Sequence, residues 1–166
     1  MSQITLKGEK INTYGNLPEK GERAPHFALI KSDLSTATLN DFKGKRVILN
    51  IFPSIDTGVC ATSVRKFNER ATELDNTVVL CISRDLPFAQ KRFVNDEGLE
   101  NVINLSDFRD RNFGKDYGLE IMDGPFEALL SRVVIVLDEN GNVIHSQQVP
   151  EIGEEPDYLA ALKTLL

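Results

Sequence analysis

The stretch Val47-Ile48-Leu49-Asn50-Ile51-Phe52-Pro53-Ser54-Ile55-Asp56-Thr57-Gly58-Val59-Cys60 decides how this chain is read. Its first half is a short apolar run of β-branched and aromatic residues, the composition of a strand buried on both faces. Pro53 ends that run. After Cys60, Val64, Phe67, Ala71 and Leu74 recur at spacings of three and four, one apolar face of a helix. The order is therefore strand, short loop, helix, with Cys60 where the helix starts. A cysteine there meets the unpaired N–H groups of the first turn and the positive end of the dipole, and both favour the thiolate, the nucleophilic form. Thr57 stands three residues before Cys60, where a Cys-x-x-Cys motif carries its first cysteine. A hydroxyl exchanges hydrogen bonds but forms no disulfide. The pattern points to a single activated thiolate attacking something small, not to dithiol exchange.

Working outward, two further runs have the same buried-strand character, 77–83 (Thr77-Val78-Val79-Leu80-Cys81-Ile82-Ser83) and 132–137 (Arg132-Val133-Val134-Ile135-Val136-Leu137). The latter leads through Asp138-Glu139-Asn140-Gly141-Asn142 into Val143-Ile144-His145, and Asn-Gly between two such runs signals a hairpin. Residues 2–8 and 11–14 read as a small opening hairpin turning at Gly8-Glu9-Lys10, and residues 15–26 as loop. Pro87 opens a second helix that stops near Gly98. Residues 107–117 read as a third, and Pro156-Asp157 begins the last. Together these predict an α/β domain spanning 1–166, with a central mixed sheet flanked by helices on both faces.

Composition narrows the function classes. A chain of 166 residues with 41% hydrophobic and 27% charged residues fits one soluble globular domain. No apolar run approaches the roughly 20 residues of a membrane-spanning helix, and the first residues lack a signal-peptide core, so a cytoplasmic protein is expected. A formal charge of −6 disfavours nucleic acid and anionic membranes as partners. Two cysteines, with His26 and His145 as the only histidines, make neither a disulfide framework nor a metal-ligand set. No cofactor is expected, and the two histidines are assigned no role.

Pro53-Ser54-Ile55-Asp56-Thr57-Gly58-Val59-Cys60 resembles the peroxiredoxin active-site signature: a proline, three residues, a threonine or serine, two residues, and the reactive cysteine. The bacterial thiol peroxidase subfamily is the closer likeness. It is carried by Val64-Arg65-Lys66-Phe67-Asn68, Asp85-Leu86-Pro87-Phe88-Ala89-Gln90, Glu97-Gly98-Leu99 and Glu154-Glu155-Pro156-Asp157-Tyr158, along essentially the whole chain. The resemblance implies a thioredoxin-like fold with an N-terminal β-hairpin, a homodimer, and reduction of hydrogen peroxide and organic hydroperoxides. It implies that Cys60 attacks the peroxide and becomes a sulfenic acid. Thr57 would hydrogen-bond thiolate and peroxide. Arg132 would stabilise negative charge at the sulfur and on the departing oxygen. Pro53 would shield the sulfur from water and remove a backbone donor from the loop.

One departure matters. The subfamily carries a second, resolving cysteine after the position of Phe93, and here Val94 stands there. Valine forms no disulfide, which leaves three explanations: an external thiol reduces the sulfenic acid, Cys81 has become the resolver, or Val94 replaces a native cysteine. Cys81 itself reads as a core residue within Val78-Val79-Leu80-Cys81-Ile82, where burial makes a thiol unreactive. Thioredoxin is the reductant the resemblance implies. The leading function is a thiol-dependent peroxidase. Its competitor is a redox sensor that relays oxidation from Cys60 to a partner protein.

Overall fold

A computed structural model describes residues 1–166. Its centre is β5 (Arg46–Ile51), with β6 (Thr77–Ser83) parallel to it on one side and β8 (Val133–Leu137) antiparallel on the other. β7 (Ile103–Ser106) runs parallel to β6, and β9 (Val143–Gln148) antiparallel to β8. The edge beyond β7 is completed by β3 (Ala28–Lys31) and β4 (Thr36–Thr38), giving seven strands in the order β4-β3-β7-β6-β5-β8-β9. A separate hairpin, β1 (Ser2–Leu6) and β2 (Glu9–Thr13), stands outside the sheet.

Side-chain alternation along β5 divides the core. Val47, Leu49 and Ile51 point into a cluster with Leu80, Ile82, Ile135, Phe113 and Tyr117. Ile48 and Phe52 point the other way, into a cluster with Cys60, Val64, Phe67, Cys81, Val134 and Ala161. The second cluster is roofed by α1 (Gly58–Ala71), α2 (Pro87–Glu97) and α4 (Tyr158–Lys163). On the opposite face lies α3 (Asn112–Asp116), through Phe113. Strands buried on both faces need no polar alternation, which is why they read as continuous apolar runs. The expected mixed sheet with helices on both faces and an opening hairpin is the fold observed.

Three local expectations are corrected. The opening hairpin turns one residue earlier, at Lys7-Gly8, both with positive φ (51° and 83°). The third helix shrinks from 107–117 to Asn112–Asp116, because Arg111 takes a left-handed conformation (φ 63°) and the Asp107 carboxylate is held by Arg84. Strands β3, β4 and β7 lie in segments left unassigned, each too short to show a period of its own.

Candidate active site

The carboxyl end of β5 delivers the chain to the site. Phe52 N donates to Ile82 O at 3.1 Å, keeping the segment in the sheet for one more residue, and Pro53 then ends the ladder. The buried ring of Pro53 lies at the base of the turn Ser54–Thr57. Thr57 is extended (φ −102°, ψ 145°) and caps α1, and its carbonyl accepts from Ala61 N at 3.0 Å. The helix thus begins at Gly58, two residues before the sequence reading placed it. Cys60 lies within the first turn, where the orphan donors and the dipole act most strongly. Its relative exposure is 0%.

Arg132 reaches this cysteine through sheet register. Ile51 pairs with Val133, so the residue preceding β8 stands beside the point where the chain leaves β5. Arg132 is 2% exposed, its Nη2 donating to Cys60 Sγ at 3.3 Å and its Nε to Ile152 O at 2.8 Å. Nη1 is buried without a protein partner. A buried cation with one donor on the sulfur and one free can stabilise charge on sulfur and on a second atom beside it.

The Thr57 hydroxyl donates to Ser54 O at 2.9 Å. Its hydrogen is therefore committed within the turn and not directed at Cys60, while its oxygen remains able to accept. Ser131, next to Arg132, accepts from Gln148 Nε2 at 3.0 Å, which ties the residue before the arginine to β9.

Cys81 is fully buried, and burial pushes its thiol up to about 12, only partly countered by a hydrogen bond from Asn50. Asn50 Nδ2 lies 3.7 Å from Cys81 Sγ and 3.1 Å from Ser63 Oγ, and Ser63 Oγ donates to Cys60 O at 2.7 Å. The two cysteines thus share one cluster, yet Cys81 is held in a rigid strand as a thiol. Val94, partly buried on α2, packs against the same cluster. His26 and His145 stand away from Cys60; burial holds His145 below the usual imidazole range, opposed by Asp157.

Three contributors escaped the sequence reading. The first is the carbonyl of Ile152, a backbone atom with no sequence signal. Its segment is pinned to the hairpin, where Thr5 N donates to Pro150 O at 2.7 Å and Ile152 N to Thr5 O at 2.9 Å. The second is a cluster on the approach to α4. Glu155 meets Lys66 Nζ at 3.1 Å and accepts from Tyr158 OH at 3.0 Å, and the Tyr158 ring meets Phe67 edge-on at 5.3 Å. Lys66, with smaller help from Tyr158 and Arg132, holds the Glu155 carboxyl below its usual range. The third is Asp85, whose carboxylate accepts from Ser54 Oγ at 2.7 Å and Ile55 N at 2.9 Å. The Asp-Leu-Pro-Phe-Ala-Gln string announced that segment, though not this contact.

Comparison with known proteins agrees over the whole length. The Redoxin family model matches residues 19–162. A thiol peroxidase of Mycobacterium bovis is 56% identical over 165 residues, 99% of each chain. Among solved structures, a peroxiredoxin-like protein from Aquifex aeolicus superposes with a TM-score of 0.92 at 37% identity, covering 99% of this chain and 96% of that one. A thiol peroxidase from Chromobacterium violaceum gives the same TM-score and coverage at 24% identity, a likeness of fold.

Proposed function

The chain belongs to the redoxin family, in its thiol peroxidase branch, and from that premise we propose that Cys60 is its peroxide-reducing residue, served by Arg132, Thr57 and Pro53. The observation that carries the assignment is the Arg132 guanidinium, bound to Cys60 Sγ and Ile152 O, with Nη1 buried and unpartnered. A peroxide placed against the sulfur would fill that free donor. The thiolate attacks one oxygen, the O–O bond breaks, and hydroxide or alkoxide leaves with the electron pair, stabilised by Nη1 and then protonated. Cys60 is left as a sulfenic acid. The Thr57 oxygen, its own hydrogen committed to Ser54 O, accepts from the peroxide and orients it. Pro53 keeps bulk water and a competing N–H away from the sulfur.

Recycling falls to an external thiol, with thioredoxin the reductant expected of a redoxin. That thiol attacks the sulfenic acid, releasing water and leaving a mixed disulfide, and a second thiol frees Cys60. Two features support this over internal resolution: Val94 offers no sulfur, and Cys81 is held as a buried thiol. The same two features favour a second reading, a relay that passes oxidation to a partner protein, because a sulfenic acid without an internal thiol persists. We further place the protein in the cytoplasm as a homodimer. No helix is long and apolar enough to cross a membrane, and Leu86 and Phe88 at the start of α2 leave an apolar surface available for a second copy.

Intact mass spectrometry after one equivalent of hydrogen peroxide, with and without a sulfenic-acid trap, tests the assignment. A trap adduct in the native chain and none in Cys60→Ser is expected. An unmodified native chain, or an adduct that survives Cys60→Ser, refutes it. Turnover with thioredoxin but not with a partner protein separates peroxidase from relay.

A further inference from the structure

Beneath the turn that carries Thr57 and leads into the helix start at Cys60 lies a hydrogen-bonded unit with no part in the chemistry described above. The Asp85 carboxylate gathers three donors: Ser54 Oγ at 2.7 Å, Ile55 N at 2.9 Å and Ser83 Oγ at 2.6 Å. Ser83 in turn accepts from Gln90 Nε2 at 3.1 Å, a buried amide that also donates to Leu105 O at 3.0 Å. Ser106 Oγ donates to the Asp85 carbonyl. The anchor therefore reaches into β6, α2 and β7, all outside the turn. The turn is joined to it by Ser54 and Ile55, and its one other side-chain tie to α2 is the exposed pair of Arg92 Nη2 with Asp56 Oδ1 at 3.2 Å. Ser54 also accepts from Asp56 N at 3.1 Å and, through its carbonyl, from Thr57 Oγ1 at 2.9 Å.

Two steps of the reaction make opposite demands on this turn. Peroxide needs Thr57, Cys60 and Arg132 held in register, since a displacement of about 1 Å at a reacting centre can cost about 100-fold in rate. A thiol carried by a larger molecule must approach Cys60 Sγ directly, and that residue is 0% exposed. Reduction therefore requires the turn to leave its seat. Charge-assisted bonds from a carboxylate to a hydroxyl and an N–H are the strong kind, and they break together when the turn moves. We propose that Asp85 is a positioning residue that latches the turn 53–57: it speeds oxidation of Cys60 by peroxide and slows reduction of the resulting sulfenic acid by bulky thiols. The inference rests on the peroxidase reading of Cys60.

The test follows both half-reactions separately in the native chain, Asp85→Asn and Ser54→Ala. Asparagine keeps the shape of the side chain but turns one acceptor into a donor, so it cannot serve all three partners. Ser54→Ala leaves Asp85 bonded to Ser83 and the β6–α2 corner intact, so it carries the test should Asp85→Asn fail to fold. Oxidation is read by quenched-flow mass spectrometry with hydrogen peroxide. Reduction is read as the loss of colour when 5-thio-2-nitrobenzoate captures the sulfenic acid as a mixed disulfide, with release of water. Both variants are expected to oxidise about tenfold more slowly and to be captured about tenfold faster, roughly what one charged hydrogen bond supplies. Rates that fall together, or that both stay at native values, overturn the latch and leave the peroxidase reading standing. A native chain that forms no sulfenic acid at Cys60 overturns both.

Discussion

Replacing Arg132 by methionine removes the guanidinium while keeping an unbranched side chain of similar reach in a site that is 2% exposed. Two interactions with the reacting atoms disappear, the Nη2 bond to Cys60 Sγ at 3.3 Å and the free Nη1 that would meet the leaving oxygen. Hydrogen bonds to charged groups contribute about 1.5–3 kcal/mol each, so together they supply about 3–6 kcal/mol to the transition state. At about 1.4 kcal/mol per tenfold, oxidation by peroxide should slow by about 100-fold to 10,000-fold. The same substitution strands Ile152 O, which accepts from Nε at 2.8 Å, at a cost of about 1–3 kcal/mol in stability. The two effects separate experimentally. Single-turnover oxidation of reduced protein, quenched and read by mass, measures the first, and urea unfolding measures the second. Arg132→Lys should recover part of the rate, since an ammonium retains the charge but loses the fork that spans sulfur and carbonyl. A folded Arg132→Met protein that oxidises within about threefold of the native rate, a difference well under 1 kcal/mol, would refute the reasoning.

Other outcomes follow from contacts elsewhere. Val94→Cys should restore a second thiol beside the Cys60 cluster, so one equivalent of peroxide gives a chain lighter by two hydrogens and no trap adduct; an undiminished adduct contradicts this. Cys81→Ala should leave trapping and turnover unchanged while lowering stability by about 1 kcal/mol, and a loss of turnover would make Cys81 a participant. Arg84→Ala leaves the buried Asp107 carboxylate without the ion pair at 2.7 Å, a loss of about 3–5 kcal/mol in denaturant unfolding. A loss no larger than the roughly 1 kcal/mol of an exposed pair counts against that account. Burial raises the Tyr117 phenol above its ordinary value, and its hydroxyl donates to Pro25 O at 2.6 Å. The folded state thus keeps this proton while the unfolded chain loses it near pH 10. Stability from the neutral phenol is complete below that pH and is lost as pH rises above it. Tyr117→Phe should show a shallower alkaline decline, and parallel curves would dismiss the effect.

What the sequence disclosed depended on whether the physics was local. Runs buried on both faces announced β5, β6 and β8, because an apolar run bounded by turn residues needs no partner to be recognised. The three short strands β3, β4 and β7 did not, since pairing across the sheet makes them strands and no periodicity survives in three or four residues. At the site, Cys60 and Thr57 were legible because spacing along a helix start is local. Arg132, 72 residues further on, came from family likeness alone, and its physical reason, the register of Ile51 with Val133, belongs to the folded sheet. The Ile152 carbonyl and the Asp85 contact were silent for the same reason. The direction of the Thr57 hydroxyl was misjudged because a nearby carbonyl competes for its hydrogen.

The pairing of Thr5 with Pro150 and Ile152 has a consequence for the order in which the protein acquires reactivity. The carbonyl that aims Arg132 is fixed by a strand from the opposite end of the polypeptide, so the guanidinium is steadied only after remote parts of the chain have met. Contacts so far apart in sequence close slowly. Until they do, the sulfur lacks this guanidinium, and on the proposed assignment of Cys60 its oxidation would wait for the native contacts. On that assignment, native structure would be the safety catch of the reaction.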